Sequence, residues 1–214
     1  MKAPSAALNG GQSLDQRSPI EPERYALESQ IRECYGRCAY THKTHEKMAE
    51  RLHSRHKKGK WANIVLSSLI TGGAVSVIFA KGAVWEGYAG YATAALSILS
   101  LIFNAYLKDL DPGALAQRHR EAASDIWNVR EAYLSLITDI IGQSSDLPIL
   151  RQRRDGLQAA LHKIYHAAPH TDGKAYGKAQ DALKNNEDLT FSEGEIDAML
   201  PDSLRRRTQT NDKP

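Results

Sequence analysis

Cys34, Cys38, His42 and His45 are the side chains best suited to hold a metal, since thiolate and imidazole are common zinc ligands. They recur at i, i+4, i+8 and i+11, so on a helix they share one face but are strung along ~16 Å of its axis. Ligands so spread cannot surround one ion, and a zinc site would need donors from elsewhere. The row reads instead as polar layers in a helix-packing seam, which protonation of His42 or His45 would tune near neutral pH. His162, His166 and His170 form a second row, but Pro169 ends the helix before the third, which leaves a solvated surface. The sequence contains no P-loop, dinucleotide fingerprint, nucleophile elbow or zinc-protease motif. No catalytic, cofactor or metal residue is assigned, and a non-enzymatic role is expected.

The elements that carry these residues are set by hydropathy. Over 214 residues, 42% hydrophobic and 25% charged, the mean hydropathy of −0.48 looks soluble. That average hides two uncharged windows. WANIVLSSLITGGAVSVIFA covers residues 61–80 and GYAGYATAALSILSLIFNAYL residues 87–107, each matching the ~30 Å hydrocarbon thickness as a helix. Trp61, Trp85, Tyr88 and Tyr106 fall near their ends, where amphipathic rings favour headgroups. A buried soluble hairpin is the competing reading, and two adjacent uncharged runs of this length disfavour it. Arg51, Arg55, Lys57, Lys58 and Lys60 precede the first window and Lys108 and Arg118 follow the second, against Lys81 alone between them. This asymmetry predicts both termini on the cytoplasmic side of the membrane. The net charge of +3 does not choose a partner, but a basic cluster directly before a span favours lipid headgroups over nucleic acid. Two cysteines make no disulfide framework and fit a reducing compartment.

The fold expected is an all-α membrane protein: a two-transmembrane hairpin with long antiparallel cytoplasmic arms and a small helical C-terminal cap. Residues 1–22 read as a disordered tail, 23–60 as the first arm, 61–107 as the hairpin, 113–204 as the second arm and cap, and 205–214 as a basic disordered tail. Ile31, Tyr35, Cys38, His42, His45, Ala49, Leu52 and His56 alternate steps of four and three, as do Leu115, His119, Ala122, Ile126, Val129, Tyr133, Leu136 and Ile140. The two seams match in length and are expected to pack as one stalk, or each against a neighbouring protomer. Asp111 and Pro112 supply a cap and a first-turn proline, so the chain should kink or restart there. Asp146 and Pro148 open a further helix that Pro169 stops, a weaker helix is expected over 174–184, and Ser192 with Glu195 has capping-box spacing. On the first span Ser68, Gly72, Ser76 and Ala80 repeat at four, the spacing that lets backbones approach in lipid. On the second, Thr93, Ser97, Ser100 and Asn104 share one side. They either bond within the hairpin or line the wet interior of an oligomer.

The stretches IRECYGRCAYTHKTHEKMAERLHSRHKKGKWANIVLSSLITGG, LIFNAYLKDL and WNVREAYLSLITDI, followed by LHKIYHAAPHTDGKAYGKAQDAL and FSEGEIDAMLPDSLR, resemble the SLATT family from Glu28 to Arg206. Its members are two-transmembrane effectors associated with bacterial nucleotide-second-messenger and related conflict systems. The resemblance implies a pore-forming effector that compromises the inner membrane once phage infection triggers its system. It also implies a nucleotide-signalling or sensor protein as partner. The chain's own pattern adds a homo-oligomer, packed through Ser68 to Ala80, with Thr93 to Asn104 as candidate pore lining. The alternative is a membrane-anchored helical adaptor.

Overall fold

The protein's structure, a computed structural model, describes residues 22–79, 86–186 and 188–199. The two tail assignments, apart from Pro22, and residues 80–85 between the two apolar windows, including Ala80, lie outside the described residues. Within them every element is a helix: α1 (Pro22–Phe79), α2 (Glu86–Leu110), α3 (Pro112–Ile141), α4 (Leu147–Ala167), α5 (Gly173–Lys184) and α6 (Glu193–Met199). The first arm and first span are one uninterrupted helix of 58 residues. The Lys60–Trp61 boundary is therefore a change of composition and not of backbone. Nothing between Pro22 and Phe79 lacks an amide proton or imposes a special conformation, so the i→i−4 ladder has no reason to stop.

The second strand of the architecture is broken where the sequence predicts. Asp111 takes φ 28° and its carboxylate accepts a hydrogen bond from the Ala114 amide, while Pro112 opens α3. Proline costs nothing there because a first-turn amide has no helical partner. Contacts at His42–Ala123, His45–His119 and His56–Gly113 pair α1 with α3 in antiparallel register. The same register continues into α2 through Gly59–Leu107, Asn63–Asn104 and Gly73–Thr93.

Both seams close on each other within one chain. Ile31, Cys38, Ala49 and Leu52 of α1 are buried against Ala122, Ile126, Val129, Tyr133, Leu136 and Ile140 of α3. Tyr35, His56 and Leu115 are only half-buried at the margins. The periodicity did not mark Leu27, Cys34 and Ile137, which are also buried. They lie beside the seam, where α4 covers the stalk with Leu150, Leu157, Leu161 and Ile164 and widens the apolar stripe beyond a two-helix contact. α5 then lays Ala175, Ala179 and Ala182 on α1. Its small side chains give little hydrophobicity but permit close approach. At α6 the capping box forms, with the Ser192 amide and hydroxyl both donating to Glu195 Oε2 at 2.7 and 2.8 Å and the Glu195 amide donating back to Ser192 Oγ.

Candidate functional site: the polar column between the apolar helices and the histidine layer below it

The carboxyl-terminal third of α1 and the whole of α2 are the apolar part of the molecule. Outside the seam where they meet each other, the most apolar windows of the two long helices are not covered by the rest of the protein. Trp61, Leu69, Ile78, Tyr88, Tyr91, Ile98, Leu101 and Ile102 all face outward. Water does not tolerate such a surface without a cover, whereas hydrocarbon does.

Polar groups collect between these helices. Asn104 Nδ2 donates to Asn63 Oδ1 at 3.2 Å and to the Ser100 carbonyl at 2.9 Å. Ser100 is only 8% exposed. About two turns beyond Ser100, the Thr93 hydroxyl donates to the Ala89 carbonyl at 2.8 Å and occupies the space beside Gly73, where a Cβ would overlap it. Ser97 is exposed and donates to the Thr93 carbonyl at 2.8 Å. The predicted polar row is thus split, with Thr93 and Ser100 turned towards α1, Asn104 linked to it, and Ser97 turned outward.

The small-residue row on α1 is also split. Ser68 is exposed and its hydroxyl donates to the Ile64 carbonyl; Gly72 is exposed, and a Cβ there would meet nothing within 4 Å. Ser76 is half-buried and donates to the Gly73 carbonyl at 2.8 Å. The close approach inside the pair rests on Gly73, which the spacing-four rule passed over. Asn63 was missed as well. Its signal was available: an amide inside an uncharged membrane-length run needs a partner.

Below the apolar pair, α1 and α3 place three imidazoles in the stalk core. His45 and His119 meet through their Nδ1 atoms at 2.9 Å, with ring centroids 5.1 Å apart, and they are 3% and 0% exposed. His42 Nδ1 donates to the Ala123 carbonyl at 2.9 Å. Cys34 and Cys38 lie one to two turns further along among apolar side chains, both reduced, and burial pushes the Cys38 thiol up to about 11. A thiol held so far from ionising is neither a nucleophile nor a ready ligand. Among the described residues, no three histidine, cysteine or acidic side chains converge as a metal site would require.

Charged residues fasten α5 and the chain after it over this layer. Arg51 pairs with Asp172, whose carboxylate also caps α5 at the Ala175 amide. Lys43, buried, bridges Glu46 at 2.9 Å and Asp188 at 3.0 Å. Periodicity alone could not find the Arg51–Asp172 and Lys43–Asp188 pairs, because each joins α1 to a residue more than a hundred positions away.

The family model described as SMODS and SLOG-associating 2TM effector domain family 4 matches residues 27–195, from the first turns of α1 into α6. No curated protein and no solved structure matches the chain.

Proposed function

We propose that this chain, which belongs to the family of SMODS and SLOG-associating two-transmembrane effector domains, is a non-enzymatic membrane effector of a bacterial antiphage system. In this reading α1 and α2 cross the inner membrane as a hairpin with both termini cytoplasmic, and copies assemble through the outward Ser68–Gly72 face. Activation opens a path for ions, and loss of the membrane potential stops the infected cell. A nucleotide-signalling or sensor protein supplies the trigger.

One observation carries the reading. The most apolar stretches of the two long helices are uncovered on their outer faces, yet they enclose polar groups between them. An anchor needs only the first property, while a pore needs both. Ser97 already faces outward, and exchanging the Asn63–Asn104 bond for bonds to water would add Asn104 to a wet face. The adaptor reading draws on the same site: Thr93, Ser97 and Asn104 all have hydrogen-bond partners within one chain, so no water-filled path is needed to satisfy them.

Ion efflux from vesicles reconstituted with the full chain separates the two. Triggered efflux, together with depolarisation of cells carrying the protein and its genomic neighbours during infection, supports the effector. Gly72→Leu should then lower oligomer size and efflux together, and Asn104→Leu should alter conductance or selectivity at unchanged oligomer size. An intact potential in every condition favours the adaptor.

A further inference from the structure

From Arg32 to Arg51 every lysine and arginine of α1 is paired with a carboxylate, ending with Arg51 on Asp172. The pattern then stops. Arg55, Lys57, Lys58 and Lys60, and Lys108 on α2, form no ion pair among the described residues. No Asp or Glu occurs in the chain between Glu50 and Glu86, so α1 carries no counter-charge of its own here. His53 registers the excess: loss of water, then Lys57, Arg120, His56 and Lys60, push it below the ordinary histidine value.

Where this cationic run meets α2, a cleft of about 330 Å³ lies along the junction of α1, α2 and the start of α3. Lys60 and Lys108 line it, with His56, Asn63 and Asn104. The carboxylate that lines it, Asp111, is engaged by the Ala114 amide at 3.0 Å. Two ammonium groups at one cleft suit a phosphate, which each meets as a point charge. A zwitterionic headgroup would bring a further cation into an already positive place, so a net negative one is favoured. What lies next to the cleft is apolar. Ile64 stands one turn beyond Lys60 and Leu101 two turns from Lys108, so they continue the same faces into the uncharged windows, and they are 55% and 71% exposed. A soluble anion leaves that surface bare, whereas an acyl chain covers it.

We propose that this cleft holds one anionic phospholipid of the leaflet nearest the stalk, its phosphate between Lys60 and Lys108 and its chains over Ile64 and Leu101. The site rests on the reading of α1 and α2 as a membrane hairpin and adds to it a lipid of defined charge. Lys60 belongs to α1 and Lys108 to α2, so a bound phosphate ties the two helices together just before the break at Asp111. It also sits beside the Asn63–Asn104 bond, since both amides line the same cleft. The lipid thereby caps the polar column at its stalk end.

Native mass spectrometry of the full chain in neutral detergent, titrated with phosphatidylglycerol, phosphatidylcholine or glycerol 3-phosphate, tests the site. One phosphatidylglycerol should be retained at saturation, with phosphatidylcholine about tenfold weaker or more. Glycerol 3-phosphate, which has the anion without the chains, should not be retained. Lys60→Gln/Lys108→Gln should reduce phosphatidylglycerol to the level of phosphatidylcholine. Lys57→Gln/Lys58→Gln, which removes the same charge outside the cleft, should leave it at the parent level. Equal retention of the two lipids, equal loss in the two double variants, retention of glycerol 3-phosphate, or displacement of the lipid by a short DNA duplex overturns the proposal. Insertion is read separately, by alkaline extraction from phosphatidylcholine vesicles. Release of the protein sinks the membrane reading, whereas an inserted protein indifferent to phosphatidylglycerol sinks the lipid site alone.

Discussion

His45 and His119 share one hydrogen bond between two identical atoms, so one ring donates, the other accepts, and the contact between the Nδ1 atoms has no place for a second proton. Burial is the first cause holding His45 down to about 4, and the neighbouring His119 and His42 add to it. Burial, then Arg118 and Arg51, lower His119, partly offset by Asp172. A base with a folded pKa below its unfolded value binds fewer protons when folded. Stability is therefore full above the unfolded value near 6.5 and is lost as the pH falls towards 4. For His45 alone the loss is on the order of 3 kcal/mol. The midpoint of thermal unfolding should drop between pH 6.5 and 4.5, and the His45→Gln/His119→Gln variant should flatten that slope. A parent-like slope in the variant would place the acid sensitivity elsewhere. Neighbouring glycines on α1 give a second contrast. Gly73→Ala drives a methyl into the Thr93 side chain, whereas Gly72→Ala meets open space. Helix unfolding in detergent should show Gly73→Ala destabilised, Gly72→Ala near the parent, and Thr93→Ala relieving the Gly73 variant with a coupling of about 1 kcal/mol.

Among the elements, α5 depends most on single side chains. Its buried face is three alanines, and Asp172 both caps its first turn and holds Arg51. These two contacts keep the Asp172 carboxyl down at about 2. Asp172→Asn should keep the cap and lose the ion pair, while Asp172→Ala loses both. Limited proteolysis should cut the 168–186 region several-fold faster in the alanine variant, with asparagine between it and the parent. Helix starts at Asp111, Asp146 and Ser192 and the paired seams were legible in the sequence, because caps and heptad steps are local rules written within a few residues. The resemblance to a two-transmembrane effector family was legible too. Gly73 and the Asn63–Asn104 bond were not, nor was the Arg51–Asp172 pair. Those partners lie 41 and 121 positions apart, and helical period says which face a residue is on but not what arrives there. The widened core at Leu27 and Ile137 was hidden for the same reason, since it exists only once α4 has docked.

The whole molecule is defined by its division into a charged, packed stalk and an apolar pair with no cover. The basic residues beside the apolar windows, Arg55 to Lys60 and Lys108, set the expected orientation. Cysteine placed at Lys81 should react with an impermeant maleimide from outside intact spheroplasts, and the native Cys34 and Cys38 should stay silent because both are buried. Labelling at position 81 only after lysis would invert the topology. The two halves of the stalk meet the apolar pair differently. α2 and α3 are separated by the cap at Asp111, whereas α1 passes from stalk to apolar pair without a break. α1 is therefore a lever some 87 Å long by its rise per residue, with its fulcrum near Lys60. A tilt of about 10° at the stalk would swing the far end of its ~30 Å apolar segment by about 5 Å, one full helical turn of displacement against any neighbour. Torque applied to the amino-terminal end of α1 has no break in the helix to cross before it reaches Gly73 and its neighbour Thr93.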